Sequence, residues 1–574
     1  MPDRELQVKI GVFFCSCGLI MNDYFDLKSL SDYTSGISGI THVDKNRFLC
    51  TKSGCEWLKT KIAQSGCNRV VVVGCSPSLH ELTFMNCIEE TGLNRYFLAI
   101  ANIREGCAWV ITEREKLMSR ARQIIMAAVR RVTFAKPAEK IRKKMNRSAL
   151  VIGAGIAGVQ TALELQRLGI RPFIIEKKPQ VSQENPVFLI PHNQEVNARE
   201  MFSSKIREIR EKNIDLLTST QVKEVKGNVG SFRVVLDNMG HEKVLEVGSI
   251  VVSTGFRRQG GEQINALRSS RRIVSLSQLR NMLDFERRTL ERILLTQDKR
   301  TKYTCFILSD SEASPKTNTV TALNEALTLK EQFKTEIFIA SEDITVSGTE
   351  LESLYRLARE KGVLFYRYSK DSPPEFSLEK GIITVRLKDP VLAKDVKGEN
   401  VPYIALCSDL LVLEDEILPS EGTKILGDIL QVNLNQWGFF QEKNINFQRN
   451  LSNRKGIFFT GSCLGEEDIY DTFNDVRSVA MGICSFLSGD YLELEKKVDI
   501  DTDKCVLCLT CYRSCPHKAI EIEEIDAGQK RKARVIVEAC QGCGICAGEC
   551  PAKAIEMVPY SDNQIFSEFM ACEE

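Results

Sequence analysis

The sequence predicts an α/β protein that ends in a small α+β domain, and three observations lead to this prediction. Apolar strands alternate with helical segments along most of the chain before residue 490. A glycine-rich turn follows one of these strands at residues 153–158. Eight cysteines are concentrated between residues 505 and 550. Strands that alternate with helices are typical of parallel sheets covered by helices, and the dense cysteine segment requires a separate small fold.

The composition is that of an ordinary globular protein. The 574 residues suffice for about three or four domains, with 43% hydrophobic and 27% charged residues. A net charge of +1 excludes the strong positive field typical of nucleic-acid binding. Residues 1–9 lack the apolar core of a secretory signal, and no uncharged apolar run approaches the ~18 residues that span a bilayer. We therefore expect a cytoplasmic protein with no transmembrane segment.

The 21 cysteines indicate redox or metal chemistry. Eight precede residue 110, eight lie between 505 and 550, four lie between these groups, and Cys572 stands alone. Because cytoplasmic thiols stay reduced, cysteines clustered in this way are more typical of metal or redox sites than of disulfides.

The C-terminal cysteines form two repeats of C-x2-C-x2-C-x3-C-P, the spacing of bacterial ferredoxins with two [4Fe–4S] clusters. Each tight loop supplies three thiolates to one cluster, and the two repeats exchange the fourth. We expect short strands at Ala519–Glu524 and Val535–Glu538 around them. Structural zinc is the alternative for eight thiolates. The predicted ligand sets are Cys505, Cys508, Cys511 and Cys550 for one cluster, and Cys540, Cys543, Cys546 and Cys515 for the other.

Residues 148–176 predict a dinucleotide site. A buried strand leads into Gly153, Gly155 and Gly158, a helical segment follows, and a second strand ends at Glu176. In this strand–turn–helix unit the glycines let the backbone approach a pyrophosphate, and the terminal acid accepts hydrogen bonds from a ribose. A glycine turn without a ligand is the alternative.

Two later segments favour FAD over NAD at this site. Residues 249–256, which include Gly255, resemble the strand and turn that return to the nucleotide in flavoproteins with two dinucleotide sites. Residues 456–473 resemble the segment that closes such proteins over the flavin, with Gly461, Asp468 and Ile469 as the positions of interest. A helix over about 472–487 would direct its positive end at the flavin. Residues 300–415, with helices near 319–334 and 349–361, form a second lobe without a glycine fingerprint, so we do not expect it to bind NAD(P).

The N-terminal cysteines suggest a third [4Fe–4S] cluster. Three of these cysteine sites follow apolar strands, where α/β sheets carry their functional loops. The five candidates exceed the four ligands that a cubane requires. Cys67 and Cys87 fit better as small buried side chains, Cys55 remains open, and His80 is expected to be an ordinary hydrogen-bonded histidine. The candidate ligands are Cys15, Cys17, Cys50, Cys75 and Cys107.

These motifs together resemble the heterodisulfide reductase family, and specifically its A-type subunits, which carry FAD and iron–sulfur clusters. The resemblance rests on IGVFFCSCG, the Cys50 region, VVVVGCSPSLHELTF and NIREGCAW near the N-terminus. In the middle it rests on LVIGAGIAG, LPSEGT and GIFFTGSCLGEEDIYDT, and at the end on the double cysteine repeat. It implies an oxidoreductase subunit of anaerobic metabolism with a thioredoxin-reductase-like FAD domain. It also implies cysteine-rich B and C subunits, an electron-input module of hydrogenase or dehydrogenase type, ferredoxin as a further partner, and electron bifurcation.

The sequence departs from the family pattern in four places, one of which is the flavin-side turn after LLVLE, where the usual glycine is missing. Val181 to Glu184 replace a Gly-Gly-Arg turn, and NPVFLIPHNQEV at 185–196 lacks the expected cysteine. SDSEASPKTNTVTALNEA, which starts at Ser309, replaces a cysteine-rich stretch. We therefore expect the cluster of the middle domain to be absent.

We predict an N-terminal cysteine-rich domain at 1–135, a basic linker at 136–147, a FAD domain at 148–492 and a ferredoxin domain at 493–574. No residue resembles a general acid or a nucleophile, so we expect substrate chemistry on a partner. The first hypothesis is an electron-transfer subunit in which FAD exchanges electrons with clusters on both sides. The alternative is a scaffold and one-electron conduit without flavin chemistry. A stand-alone NAD(P)H-dependent disulfide reductase is disfavoured, because the flavin domain has neither a C-x-x-C pair nor a second glycine fingerprint.

Overall fold

The structure is a computed structural model that describes residues 7–181, 198–260, 271–294, 302–309, 315–348, 351–379, 382–390, 403–447, 449–467, 469–525 and 530–571. The chain divides into two compact units, residues 1–143 with 493–574, and residues 144–492. None of the helices in the described ranges combines the length and the apolar character that crossing a bilayer requires.

The N-terminal part of the first unit is built on a parallel sheet with the strand order β2-β1-β3-β4. Strand β3 has the sequence RVVVVG because both faces of the sheet are covered by helices, so that successive valines are buried on opposite sides. The strands are β1 (Ile10–Cys15), β2 (Ile40–Asn46), β3 (Arg69–Gly74) and β4 (Leu98–Asn102); the helices are α1 (Ile20–Tyr24), α2 (Leu27–Ser35), α3 (Lys52–Ser65), α4 (Pro77–Glu89) and α5 (Arg114–Thr133).

The second unit contains a first lobe with a parallel sheet in the order β23-β12-β6-β7-β8. An antiparallel sheet of three strands, β9 to β11, packs with it around a shared apolar core. The strands are β6 (Ser148–Ile152), β7 (Arg171–Ile175), β8 (Asp215–Leu217), β9 (Thr220–Asn228), β10 (Ser231–Asn238), β11 (His241–Val247), β12 (Ser249–Val252) and β23 (Ile457–Phe459); the helices are α6 (Ile156–Arg167), α7 (Ala198–Glu211), α12 (Thr423–Leu430) and α13 (Ile469–Leu487).

A second lobe is inserted into the first and repeats its α/β plan. Its parallel sheet has the order β14-β21-β15-β16-β17, and an antiparallel pair, β13 with β22, joins the lobes. The strands are β13 (Phe256–Gly260), β14 (Ile273–Ser275), β15 (Tyr303–Leu308), β16 (Glu336–Ser341), β17 (Leu364–Arg367), β18 (Glu375–Glu379), β19 (Ile382–Leu387), β20 (Ile404–Ser408), β21 (Leu410–Leu413) and β22 (Asp415–Pro419); the helices are α8 (Leu276–Asp284), α9 (Arg287–Leu294), α10 (Pro315–Phe333) and α11 (Leu351–Glu360).

The C-terminal part of the first unit is a small α+β fold around the cysteine repeats. Strand β25 pairs with β28, and β26 pairs with β27, in both cases antiparallel. Its elements are β24 (Tyr491–Glu495), which pairs with β5 (Lys140–Lys144), and β25 (Val498–Ile500), β26 (Ile520–Ile525), β27 (Lys530–Val535), β28 (Ile555–Met557), α14 (Thr510–Ser514), α15 (Ile545–Gly548) and α16 (Asp562–Met570).

One of the two short strands predicted here lies elsewhere. The prediction for Val535–Glu538 is wrong, because the strand occupies Lys530–Val535 and the chain turns immediately after it. The segment KRKARV is mostly charged, yet Ala533 and Val535 are buried in the core while Arg534 between them is exposed. This period-two burial is that of a strand with one wet face.

The two halves of the first unit are joined by a helix pair and by ion pairs. Helix α16 packs along α5. Arg131 of α5 pairs with Glu568 at 3.2 Å, stacks over the Tyr560 ring at 4.7 Å and donates to the carbonyl of Pro559. Lys143, in the segment predicted as a basic linker, pairs with Glu538. The first and last parts of the chain thus form one folded body.

Candidate functional site

The eight C-terminal cysteines line two similar cavities of about 360 and 340 Å³, including their mouths. Each cavity takes three cysteines from one repeat and the last cysteine from the other, because the repeats face each other across the small fold. The rest of the lining is almost entirely apolar. The first cavity is lined by Cys505, Cys508, Cys511 and Cys550, and the second by Cys515, Cys540, Cys543 and Cys546.

The thiols of each set lie close enough to influence one another electrostatically. Burial raises the pKa of Cys511, and the negative charges of Cys505, Cys508 and Cys550 raise it further. Burial likewise raises the pKa of Cys546 to about 11, with additional contributions from Cys540, Cys515 and Cys543. Such sets of thiolates are unfavourable without a cationic group between them, which iron supplies. In the described ranges, no three His, Cys, Asp or Glu side chains form a site for a single metal ion.

Backbone N–H groups donate to the last sulfur of each repeat. The Ala519 N–H donates to Sγ of Cys515, and the Ala554 N–H donates to Sγ of Cys550, both at 3.3 Å. The identical geometry follows from the proline after each of these cysteines, which turns the chain back over the sulfur. Hydrogen bonds to ligand sulfurs tune the reduction potential of a bound cluster.

A second group of thiols lies at the carboxyl edge of the N-terminal sheet. Cys15 ends β1, and Cys75 directly follows β3, its neighbour in the sheet. Cys17 and Cys50 lie in the loops after β1 and β2. Because parallel strands end at one edge of a sheet, the loops that follow them bring these residues together.

The charged groups that act on each thiol indicate which N-terminal cysteines lie near one another. Cys17 and Cys50 act on Cys15, and Cys15 and Cys50 act on Cys75. Burial raises the pKa of Cys75 to about 11, while the nearby Arg104 lowers it. The Arg104 guanidinium also donates to Sγ of Cys17 at 2.9 Å and pairs with Glu105. The edge thus gathers four thiols and a cation suited to stabilising thiolates.

Cys107, the fifth candidate, is not among the groups that act on Cys15 or Cys75. It is fully buried in the helical turn Arg104–Ala108, burial raises its pKa to about 11, and the charged group that acts on it is Arg120.

The cysteines left outside the N-terminal candidates have ordinary surroundings. Cys87 donates to the carbonyl of Cys55 at 3.4 Å, and its pKa is raised to about 12, mainly by burial. Cys67 is buried against Gly11. His80 packs edge-on against Phe84 with 6.4 Å between ring centroids.

The glycine-rich turn opens onto a cavity of about 1,520 Å³ in the first lobe, a volume that includes its open mouth. One wall carries the turn after β6 and the end of β7, and the opposite wall carries the segment between β22 and α12. The cavity lining includes Gly153, Ala154, Gly155, Glu176, Lys177, Thr220, Ser253, Thr254, Gly255, Arg257, Ser420, Glu421, Gly422, Thr423, Leu426 and Ile429.

At each of the three positions, glycine is favoured for a different steric reason. Gly153 has φ +109°, and a Cβ there would lie 2.5 Å from the carbonyl oxygen of Ser253. A Cβ at Gly158 would collide with the carbonyl oxygen of Gly153. Gly155 has open space where a Cβ would stand and faces the cavity. No side chain caps the start of α6, so its first N–H groups are available for an anionic ligand, as pyrophosphate binding requires.

Glu176 lies at the expected end of β7 and contacts the glycine turn directly. Its carboxylate accepts from the Ala154 N–H at 2.9 Å and from the Lys178 N–H at 3.0 Å. The acid therefore reaches the loop on which the dinucleotide is expected.

The four positions predicted to lie near the flavin do not all line this cavity. Gly255 has φ +66° and lines the cavity. Gly461 has φ +67°, and a Cβ there would lie 2.7 Å from Cβ of Ala157, so this turn packs closely on the start of α6. Ile469 is buried at the start of α13 and does not line the cavity. Asp468 lies outside the described residues.

The far wall of the cavity was not assigned from the sequence. It comes from residues 420–429, more than 250 positions after the glycine turn. The only available signal was the motif LPSEGT, which supported the family resemblance without indicating a role. Gly422, at φ +87°, provides the turn that leads into α12.

Carboxylates surround the start of α13. Glu466 accepts from the N–H groups of Lys316 and Thr317, at 3.1 and 2.8 Å, and so occupies the N-terminus of α10. Burial raises the pKa of Glu467 to about 9. Glu467 also accepts from Arg449 at 2.8 Å and from Thr472 at 2.9 Å. This cluster contacts Lys316 and Thr317, which lie in the segment after Ser309 that replaces the family's cysteine-rich stretch.

Comparison with known families agrees with these sites. Residues 498–557 match the 4Fe-4S dicluster domain family, and residues 125–274 match the pyridine nucleotide-disulphide oxidoreductase family. An A-type iron–sulfur subunit of the CoB–CoM heterodisulfide reductase of Methanopyrus kandleri is 25% identical, with 93% of each chain covered. The corresponding protein of Methanocaldococcus jannaschii is 26% identical, with 91% of this chain and 92% of the relative covered.

The chain is a divergent relative of the A-type subunits of heterodisulfide reductase. Thioredoxin reductase from T. acidophilum, a solved structure, is 14% identical, covers 59% of this chain and 98% of its own, and has a TM-score of 0.39.

As a relative of these heterodisulfide reductase subunits, the chain is an oxidoreductase with FAD and two [4Fe–4S] clusters as cofactors. The described residues fit both groups, because the glycine cradle leaves room for a dinucleotide and each C-terminal set offers four thiols. The predicted fold class is confirmed in an α/β N-terminal part, a middle domain of two α/β lobes, and an α+β dicluster ferredoxin fold.

Proposed function

We propose that the chain is the electron-transfer subunit of a cytoplasmic, multi-subunit oxidoreductase of the heterodisulfide reductase type. The observation that carries this proposal is the convergence of three separate sets of four thiols, two in the C-terminal fold and one at the N-terminal sheet edge. Bound iron–sulfur clusters supply one-electron transfer, and bound FAD links one-electron to two-electron transfer.

The C-terminal ligands are assigned by the cavities that they line. Cys505, Cys508, Cys511 and Cys550 hold one cluster, and Cys515, Cys540, Cys543 and Cys546 hold the other. Ile500, Ile522 and Ile555 line the first cavity and limit the access of water to a cluster there.

The third cluster is assigned to Cys15, Cys17, Cys50 and Cys75. Arg104, which contacts Cys17 and faces Cys75, stabilises the thiolate form of these ligands. Cys107 is left out of this set because Arg120, and none of these four thiols, is the charged group that acts on it.

FAD is assigned to the cavity that begins at the glycine turn. Gly153, Gly155 and the uncapped N–H groups of α6 would hold its pyrophosphate, and Glu176, beside the glycine turn, would accept from its ribose hydroxyls. Gly158 and Gly461 keep the helix and its neighbouring turn close to the loop.

The partners proposed are an electron-input module of hydrogenase or dehydrogenase type, cysteine-rich B and C subunits, and ferredoxin. The names of two relatives, from Methanothermobacter thermautotrophicus and Methanosarcina acetivorans, include hydrogen and ferredoxin, respectively, beside CoB–CoM heterodisulfide. Electron bifurcation at the flavin belongs to the same proposal.

The test is the cofactor content of anaerobically purified protein. About twelve iron atoms, as many sulfides and one FAD per chain are expected for three cubanes and a flavin. About eight iron atoms together with one FAD would show that the N-terminal cluster is absent. About eight without flavin would leave the alternative, a scaffold and one-electron conduit.

A further inference from the structure

Two thiols outside the set of four at the sheet edge adjoin each other on neighbouring helices. Cys55 lies near the start of α3, and Cys87 lies near the end of α4. Sγ of Cys87 donates to the carbonyl oxygen of Cys55 at 3.4 Å, and a hydrogen bond also joins the two sulfurs. Each residue alone has ordinary surroundings, but together these free thiols form a pair of adjacent sulfurs. We call them the dithiol pair.

The packing of α3 on α4 explains why these two side chains meet. Residues three or four positions apart lie on one face of a helix. Lys59 follows Cys55 at the second of these spacings, and Glu90 follows Cys87 at the first. Nζ of Lys59 lies 2.6 Å from a carboxylate oxygen of Glu90 and 2.6 Å from one of Glu56. This ion pair joins the same two helix faces one turn further along, and so stabilises the contact between the sulfurs.

The two sulfurs differ in access and in acidity. Cys55 is half-buried, whereas Cys87 is only 3% exposed. Burial raises the pKa of Cys87 to about 12, and the negative charge of Cys55 contributes to this rise. Burial also raises the pKa of Cys55, but the hydrogen bond from Cys87 and the charge of Lys59 oppose the rise. Cys55 is therefore the thiol that an external reagent reaches first and that ionises more readily, and the thiolate is the nucleophilic form.

The two helices that carry the dithiol pair lead away from the sheet edge. Helix α3 begins just after Cys50, and α4 begins just after Cys75. A Cβ at Gly54 would collide with the carbonyl oxygen of Phe48, so the start of α3 packs closely on the loop that carries Cys50. A covalent bond between the helices would therefore constrain two of the loops that supply the thiols of the edge.

We propose that Cys55 and Cys87 are a redox-active dithiol, which a low-molecular-weight disulfide oxidises to an intramolecular disulfide. The Cys55 thiolate attacks one sulfur of the external disulfide, whose S–S bond breaks, and one external thiolate leaves and takes up the proton that Cys55 lost. Cys87 then loses its proton and attacks the Cys55 sulfur of the mixed disulfide, and the second external thiolate leaves with that proton. The pair loses two electrons, and one external disulfide becomes two thiols. This two-electron chemistry goes beyond the proposed one-electron transfer and does not rest on a cluster at the edge.

The test is treatment of the anaerobically purified full chain with glutathione disulfide. Excess reagent is removed, the chain is denatured with N-ethylmaleimide to block the remaining thiols, and its peptides are analysed by mass spectrometry without reduction. We expect peptides linked through Cys55 and Cys87, which dithiothreitol separates. Cys87→Ala should stop at a mixed disulfide between Cys55 and glutathione, and Cys55→Ala should leave Cys87 to be blocked by N-ethylmaleimide. Cys67→Ala, which removes another buried thiol of this domain, is the matched control and should form the linked pair as the wild type does.

Three results in the wild type would overturn the proposal. Both thiols could be recovered blocked by N-ethylmaleimide, either could be linked to a different cysteine, or each could carry its own glutathione. Iron is measured before and after treatment, so that failure of this proposal and failure of the proposed third cluster are distinguishable. A linked pair in protein without iron at the edge would refute the third cluster and support the dithiol. A linked pair that forms only in samples that lose iron during treatment would show that a disrupted edge is required, and would also overturn the proposal.

Discussion

Cys550 lies at the same cavity as Cys511 and not at that of Cys546, its near neighbour in the sequence. Each C-terminal thiol set therefore depends on both repeats. Loss of a single cysteine has different consequences according to the cavity that it lines, and this gives the ligand assignment a direct test.

Alanine variants of the C-terminal cysteines test the exchange of ligands between the repeats. Cys550→Ala is expected to lower the iron content by about four atoms per chain. Adding Cys505→Ala should remove no further iron, because both residues line one cavity, whereas adding Cys515→Ala should remove about four more. Iron analysis and electron paramagnetic resonance of the reduced protein measure this. Cys484→Ala, a half-buried thiol of α13, is the control.

The opposite pattern would contradict the assignment. If Cys550→Ala combined with Cys546→Ala loses only one cluster, each repeat holds its own four ligands.

At the N-terminal edge, Cys75→Ala and Cys107→Ala are expected to differ. Cys75 converges with Cys15 and Cys50, so its loss should remove about four iron atoms. Arg120, and none of the other thiols, is the charged group that acts on the buried Cys107, so its loss should leave the iron content unchanged. It should lower the melting temperature by a few degrees, as a small buried side chain does. Iron retained in Cys75→Ala but lost in Cys107→Ala would refute the proposed ligand set.

The glycine turn gives a prediction that separates flavin binding from folding. Gly155→Ala adds a methyl group toward the cavity and meets no protein atom within 4 Å. We expect a folded protein with less than about a tenth of the wild-type FAD, since the pyrophosphate needs that space. Gly158→Ala should lower both FAD content and melting temperature, because its Cβ collides with the backbone of Gly153.

Released flavin and thermal unfolding measure the two effects. Gly489→Ala is the control, because its Cβ would meet its surroundings at ordinary contact distances of 3.6–3.9 Å. Full FAD content in Gly155→Ala would contradict the assignment of this cavity.

The raised pKa of Glu414 predicts that the free energy of unfolding depends on pH. Burial raises its folded pKa from 4.5 to about 7, partly opposed by hydrogen bonds from Ser309 and Asn318. Between these values the folded state holds a proton that the unfolded state has released, so stability falls as pH rises from about 4.5 to 7. The total is at most about 3 kcal/mol.

Glu414→Gln should remove this part of the pH dependence, because the amide stays neutral. Melting temperatures of wild type and variant between pH 5 and 8 should therefore diverge toward high pH, with the variant the more stable. Parallel curves would show that Glu414 is ionised throughout.

Local patterns predicted much of the fold and the sites, and long-range geometry accounts for the rest. The strand before Gly153 and the cysteine repeats follow from periodicity and spacing, which are properties of adjacent residues. The wall that includes Ser420 could not be placed, because nothing local links it to the glycine turn. The strand Lys530–Val535 was misplaced because one charged face hides its alternation.

The packing of α16 on α5 has a consequence for biosynthesis. Helix α5 is translated more than 400 residues before its partner helix. At about 5–20 residues per second, the interval is on the order of tens of seconds. The entire second unit, residues 144–492, is made in that interval. Assembly of the first unit therefore cannot be completed until the second unit has been made, and the N-terminal part must remain without its partner helix during that time.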